Sequence, residues 1–112
     1  MTIQDYKDTW EENPSSIEGT CAILKGTVAH PTIEQADCYF AVCDSSGAIN
    51  ICVSCNLLKF AKIKKLEQGD YVSVFGKFES TYALKPSEIP LGDNRLYLKA
   101  GGIEILCAVE IP

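Results

Sequence analysis

Residues 39–55 read "YFAVCDSSGAINICVSC", and the fold turns on how they are read. Two apolar runs flank Asp44, Ser45, Ser46 and Gly47. On the first side Cys38, Phe40 and Val42 alternate with Tyr39, Ala41 and Cys43; on the second Ile49, Ile51 and Val53 alternate with Asn50, Cys52 and Ser54. Period two on both sides predicts two strands. The residues between them carry turn chemistry: side chains that bond the local backbone, and a glycine free to take positive φ. With Ser45 and Ser46 at the tip, Val42 faces Ile49, Phe40 faces Ile51 and Cys38 faces Val53. Every apolar side chain then shares one face, and a slip of one residue would turn them all away from it. Tyr39, opposite Cys52, points the other way.

The cysteines of this hairpin suggest zinc only superficially. Cys38 and Cys43 are an odd number of residues apart on one strand and so face opposite ways, as do Cys52 and Cys55 if the strand runs that far. Zinc cysteines sit on tight knuckle turns, and a redox Cys-x-x-Cys opens a helix. With Cys21 and Cys107, all six lie inside apolar segments. They read as small core or sheet residues in a reducing compartment. Neither a metal nor a cofactor is expected.

A chain of 112 residues suits one domain with a real core. Its 46 % hydrophobic and 22 % charged content is that of a folded domain rather than a disordered one. No apolar run approaches the roughly 20 residues that cross a bilayer. The start, "MTIQDYKDTWEENPSS", is acidic and lacks the basic and apolar regions of a signal peptide. The expected location is intracellular, cytoplasmic or nuclear. A net charge of −5 argues against bulk, sequence-blind binding to a polyanion, while leaving local charge free to act.

Outward from the hairpin the elements fall in order. Thr2 caps a short helix over residues 1–13 with Ile3, Tyr6 and Trp10 on one side, broken at Asn13 and Pro14. A first strand covers 21–29, with Gly26 marking a bulge or close packing. His30 and Pro31 open a polar loop to Asp37. A helix with Asn56 as cap is predicted over 56–67. A strand over 71–79 points Val72, Val74, Gly76 and Phe78 inward. A long loop runs over 80–94. The last strand starts at Arg95 and continues past Gly101 and Gly102 through Ile103, Ile105, Cys107, Val109 and Ile111.

Three strands, a helix and two strands is the order of the all-β, five-stranded OB-fold Greek-key barrel, with its helix between strands three and four. The segments "YFAVCDSSGAINICV", "LEQGDYVSVFGKF" and "LYLKAGGIEIL" also resemble the OB domains of the tRNA-anticodon, replicative-polymerase and replication protein A type. The resemblance covers about residues 22–106. It divides the chain into an acidic arm or short helix, 1–16, and an OB domain, 17–112.

The resemblance implies ligand binding on strands two and three, walled by the loops after strand one and between strands four and five. There aromatic side chains stack bases and cations track phosphates. The residues that suit those roles are Tyr39 on strand two, Asn50 on strand three, and Tyr82 and Lys85 in the long loop. Arg95, Tyr97 and Lys99 follow on the last strand, with Lys25 and Lys77 extending the basic track. Lys59, Lys62, Lys64 and Lys65 read as a solvated helix face. The expected function is single-stranded nucleic-acid binding, DNA ahead of RNA, in replication, repair or related nucleic-acid metabolism. No catalysis is expected: His30 is the lone histidine, and no nucleophile–base pattern or phosphate loop accompanies it. The rival reading is an OB module that docks on proteins without binding nucleic acid. Its supports are the acidic charge, the Ile3/Tyr6/Trp10 stripe, and a tail edge over 103–111 that would pair with a partner or a second copy.

Overall fold

The computed structural model describes residues 1–80 and 96–110. Period-two alternation builds five strands: β1 (Cys21–Glu34), β2 (Asp37–Cys43), β3 (Ala48–Ser54), β4 (Tyr71–Ser80) and β5 (Leu96–Cys107). They close into one barrel in the order β1-β2-β3-β5-β4. Helix α1 (Ile3–Glu12) precedes it and α2 (Cys55–Phe60) links β3 to β4. The inward residues Val28, Phe40, Val42, Ile49, Val72, Val74 and Phe78 are at most 1 % exposed and form the core. Among the described residues no helix is long and apolar enough to cross a membrane.

The central hairpin has the expected register: Val42 opposite Ile49, Phe40 opposite Ile51, Cys38 opposite Val53 and Tyr39 opposite Cys52. Asp44 makes the turn, its Oδ1 accepting from the backbone N–H of Ser46 and Gly47. Gly47 does not take positive φ, so the turn rests on the aspartate and not on glycine's freedom. Two other glycines permit close approach of strands. A Cβ on Gly26 would sit 2.3 Å from the Cys43 carbonyl oxygen, and one on Gly76 2.4 Å from that of Lys99.

Helix α1 plugs one end of the barrel. Thr2 and Asp5 form a reciprocal capping box. Ile3 is 1 % exposed, and the Tyr6 ring lies 4.9 Å from that of Phe78. The apolar stripe is therefore spent on this chain's own core. The helix start also docks on the β2–β3 turn: the Ile3 N–H donates to Asp44 Oδ2 at 3.2 Å and the Gln4 N–H to Ser46 Oγ at 3.1 Å.

Three expected boundaries give way. β1 does not stop at Ala29: a register shift between Ala29 and Thr32, with His30 at φ 53°, lets it continue to Glu34 in place of a polar loop. α2 is six residues, not twelve, and its cap is Ser54, whose Oγ accepts from the Leu57 N–H. Its stop is a Schellman motif. Lys62 turns left-handed at φ 61°, its N–H reaching the Lys59 carbonyl at 3.0 Å and the Ile63 N–H the Leu58 carbonyl at 2.8 Å. That brings Ile63 back onto the core beside Leu58. Lys59 alone of the four lysines is helical. Finally, β5 ends at Cys107. Ile103 and Ile105 pair with Val74 and Val72 of β4, which fills one side of the expected free edge. Val109 leaves the strand, and its N–H donates to Asp70 Oδ1 at 2.8 Å. Ile111 and the loop over 81–94 lie outside the described residues.

Candidate nucleic-acid interface

Strand pairing fixes which outward residues meet. Tyr39 on β2 lies opposite Cys52 on β3, Cys52 opposite Lys99 on β5, Lys99 opposite Lys77 on β4, and Lys77 opposite Cys21 on β1. A second row runs Ala41, Asn50, Tyr97, Glu79. The structure thus gathers Tyr39, Asn50, Tyr97, Lys99 and Lys77 on one patch of sheet. Lys25 does not join it: it faces Ser73, four residues or about 13 Å along β1 from Cys21. Tyr82, Lys85 and Arg95 lie outside the described residues.

At the centre is a cleft of about 390 Å³ lined by Asp37, Tyr39, Cys52, Ser54, Tyr97 and Lys99. Its size falls within the range of small-ligand clefts. The two tyrosines are not the open platforms that their outward parity suggests, for each is 6 % exposed, and Asn50 is 1 % exposed. Outward on a sheet is a direction, not exposure. Both tyrosines are also tied down. The Tyr97 hydroxyl donates to Glu79 Oε2 at 2.7 Å, and the Tyr39 hydroxyl reaches Asp37 Oδ2 at 3.5 Å.

The electrostatics follow from this packing. Burial, reinforced by the Glu79 carboxylate, pushes the Tyr97 hydroxyl well above its ordinary range. Burial, with the Asp37 charge behind it, pushes the Cys52 thiol up to about 11. Lys99 and Lys77 are exposed cations, but Asp37 and Glu79 stand beside them, so the patch is mixed and not a positive groove. Selecting for aromatics and cations passes over these two acids. The signal for them was the same alternation, which gives Asp37 the face of Tyr39 and Glu79 that of Lys77.

All six cysteines are free thiols. Among the described residues no three His, Cys, Asp or Glu side chains are grouped to hold a metal ion. The buried Cys38 thiol is pushed up to about 11, first by burial and then by the neighbouring Cys55 and Cys52.

No protein-family profile matches the chain, and no curated protein matches it in sequence. Solved structures do resemble it in shape. One is asparaginyl-tRNA synthetase from Pyrococcus horikoshii complexed with asparaginyl-adenylate, at TM-score 0.70 and 21 % identity over 98 % of this chain and 23 % of that one. Another is aspartyl tRNA synthetase from Entamoeba histolytica, at TM-score 0.69 and 11 % identity over 87 % of this chain and 20 % of that one. A third is an OBody bound to hen egg-white lysozyme, at TM-score 0.65 and 18 % identity over 84 % of this chain and 86 % of that one. The likeness establishes the fold, a five-stranded OB barrel, and the chain spans less than a quarter of either synthetase.

Proposed function

We propose that this barrel binds single-stranded nucleic acid in the cleft between Tyr39 and Tyr97, without catalysing a reaction, in replication, repair or related nucleic-acid metabolism. The observation that carries the reading is the meeting of Tyr39, Tyr97 and Lys99 in one cleft on β2, β3 and β5. The likeness to tRNA synthetases supports it. The rings would hold a base edge-on or, after the Tyr97–Glu79 and Tyr39–Asp37 contacts release, face-on, while Lys99 and Lys77 meet phosphates. The test is fluorescence anisotropy with labelled single-stranded DNA and RNA at low salt. Lys99→Ala should flatten the salt dependence by about one phosphate contact. Tyr39→Ala should weaken binding by about fivefold, the low end for one base–aromatic stack, since little of the ring is exposed. A thermal melt controls for the folding cost of removing a buried ring. No saturable binding of either polymer at high protein concentration would sink the reading.

The second reading is protein docking alone. An exposed apolar pair on the β1–β4 face favours it: Ile23 and Phe75 stand opposite each other at 63 % and 49 % exposure. A barrel of this fold bound to lysozyme supports it. Pairing of the tail with a partner or a second copy is a finer form of it, restricted to the side of residues 103–107 that β4 leaves open.

A further inference from the structure

The segment 59–65 reads Lys-Phe-Ala-Lys-Ile-Lys-Lys and holds four of the chain's ten basic residues in seven positions. The Schellman stop of α2 folds it against the barrel instead of letting it run on as a helix face. Ile63 and Leu66 turn into the core, while Lys59, Lys62, Lys64 and Lys65 stay exposed. Among the described residues one ion pair engages any of them, Lys65 with Glu67 at 3.5 Å. The result is a concentrated positive patch on a protein of net charge −5.

The patch also has an apolar cleft. A concavity of about 200 Å³ has Ile33, Cys38, Leu58 and Leu66 in its lining and Lys64 and Lys65 beside them. A second concavity, lined by Lys59, Lys62, Ile63 and Lys64, shares Lys64 with it. Ile33 at 61 % and Phe60 at 86 % exposure leave large apolar surfaces in water. Both clefts are separate from the one between Tyr39 and Tyr97. The first belongs to the other face of the β1–β2 hairpin, where Cys38 opposes Ile33.

We propose that this end of the barrel docks an acidic peptide segment of a partner protein, one carrying apolar side chains among its carboxylates. Charge complementarity selects the sign: four close cations concentrate an anionic partner. The cleft selects the class. Apart from Cys38 and the two lysines its side chains are apolar, so a nucleobase entering it would leave most of its edge without partners. A leucine or phenylalanine side chain has no such edge and gains from leaving water. The flanking carboxylates then lie within reach of Lys59, Lys62, Lys64 and Lys65. The proposal is independent of the nucleic-acid reading and uses none of its residues.

The test is anisotropy of a labelled 15-residue peptide of Asp and Glu with Leu and Phe at every fourth position. A 15-residue polyglutamate, a single-stranded oligonucleotide and phosphatidylserine vesicles serve as rival probes. The expected result is saturable binding of the apolar–acidic peptide, at least about tenfold tighter than polyglutamate, since one buried side chain contributes that much. Lys64→Glu with Lys65→Glu should weaken it about tenfold or more, by reversing two exposed contacts. Both positions are exposed, and a thermal melt confirms the fold. Lys99→Ala should leave peptide binding unchanged. No saturable peptide binding overturns the proposal. So does a Lys64→Glu, Lys65→Glu variant that loses oligonucleotide or vesicle binding while the peptide is indifferent, which would reassign the patch to that ligand.

Discussion

Asp70 offers the sharpest test of how this barrel is closed. It is 3 % exposed, and among the described residues no cation pairs with it. Instead its carboxylate accepts two backbone N–H groups, that of Glu67 at 2.9 Å and that of Val109 at 2.8 Å. One bond shapes the turn before β4, and the other clamps the chain after β5 against that turn. Hydrogen bonds to a charged acceptor are worth about 1.5–3 kcal/mol each. Glu67 and Val109 are half-buried, so water recovers part of each loss, and the low end applies. Asp70→Ala should therefore cost about 3 kcal/mol. With an unfolding entropy of about 2.1 cal/mol/K per residue, that lowers Tm by about 13 °C. The pair can be separated. In a chain lacking residues 109–112 only the Glu67 bond remains, and Asp70→Ala should cost about half as much. Differential scanning calorimetry of the four proteins gives the cycle, and hydrogen exchange at Val109 reports the clamp directly. A Tm within about 3 °C of the parent for Asp70→Ala, or an equal cost in both backgrounds, would mean that Asp70 does not clamp the two segments together.

Cys38 and Cys52 have folded-state values of about 11 against an ordinary value of 9.0, so the unfolded chain gives up these protons first. The stability they contribute is present below about pH 9 and is lost as pH rises through about 11, with Tyr97, raised from an ordinary value of 10.0, acting in the same direction from about pH 10 upward. Tm should be level to about pH 8.5 and then fall; a Tm unchanged to pH 11 counts against it. Thiol titration should find Cys21 and Cys107 fast and Cys38 protected until denaturant is added, since the first two are exposed and the third is 2 % exposed. Stoichiometric zinc surviving dialysis would contradict free thiols. Gly76→Ala places a Cβ 2.4 Å from the Lys99 carbonyl oxygen and should cost about 1–3 kcal/mol by forcing β4 and β5 apart, read in a urea midpoint. Lys62→Gly relieves a left-handed lysine at φ 61° and should stabilise by about 1 kcal/mol, or about 4 °C, while weakening capture of the acidic peptide.

The sequence alone determined the elements whose information is local and periodic. Thr2 announces α1 because a cap is a contact three residues long, and the structure adds Asp5 as its reciprocal partner. The β2–β3 register follows from alternation because one face must be buried, and any slip exposes Phe40 and Ile51. Strand order and barrel closure followed from the succession of those elements. What the tertiary structure decided is whatever depends on residues far apart in the chain. α2 stops at Phe60 because Ile63 gains more by returning to the core beside Leu58 than by continuing a helix, and Lys62 accepts a left-handed turn to allow it. Asp70, which reads as a turn residue, holds a backbone amide 39 positions away. Tyr39 and Tyr97 point outward as alternation requires, yet they are buried, because parity sets the direction of a side chain and only the folded neighbourhood sets what lies over it. The basic run at 59–65 was visible as charge; that it rims an apolar cleft depends on Ile33 and Cys38, brought to it by the β1–β2 pairing.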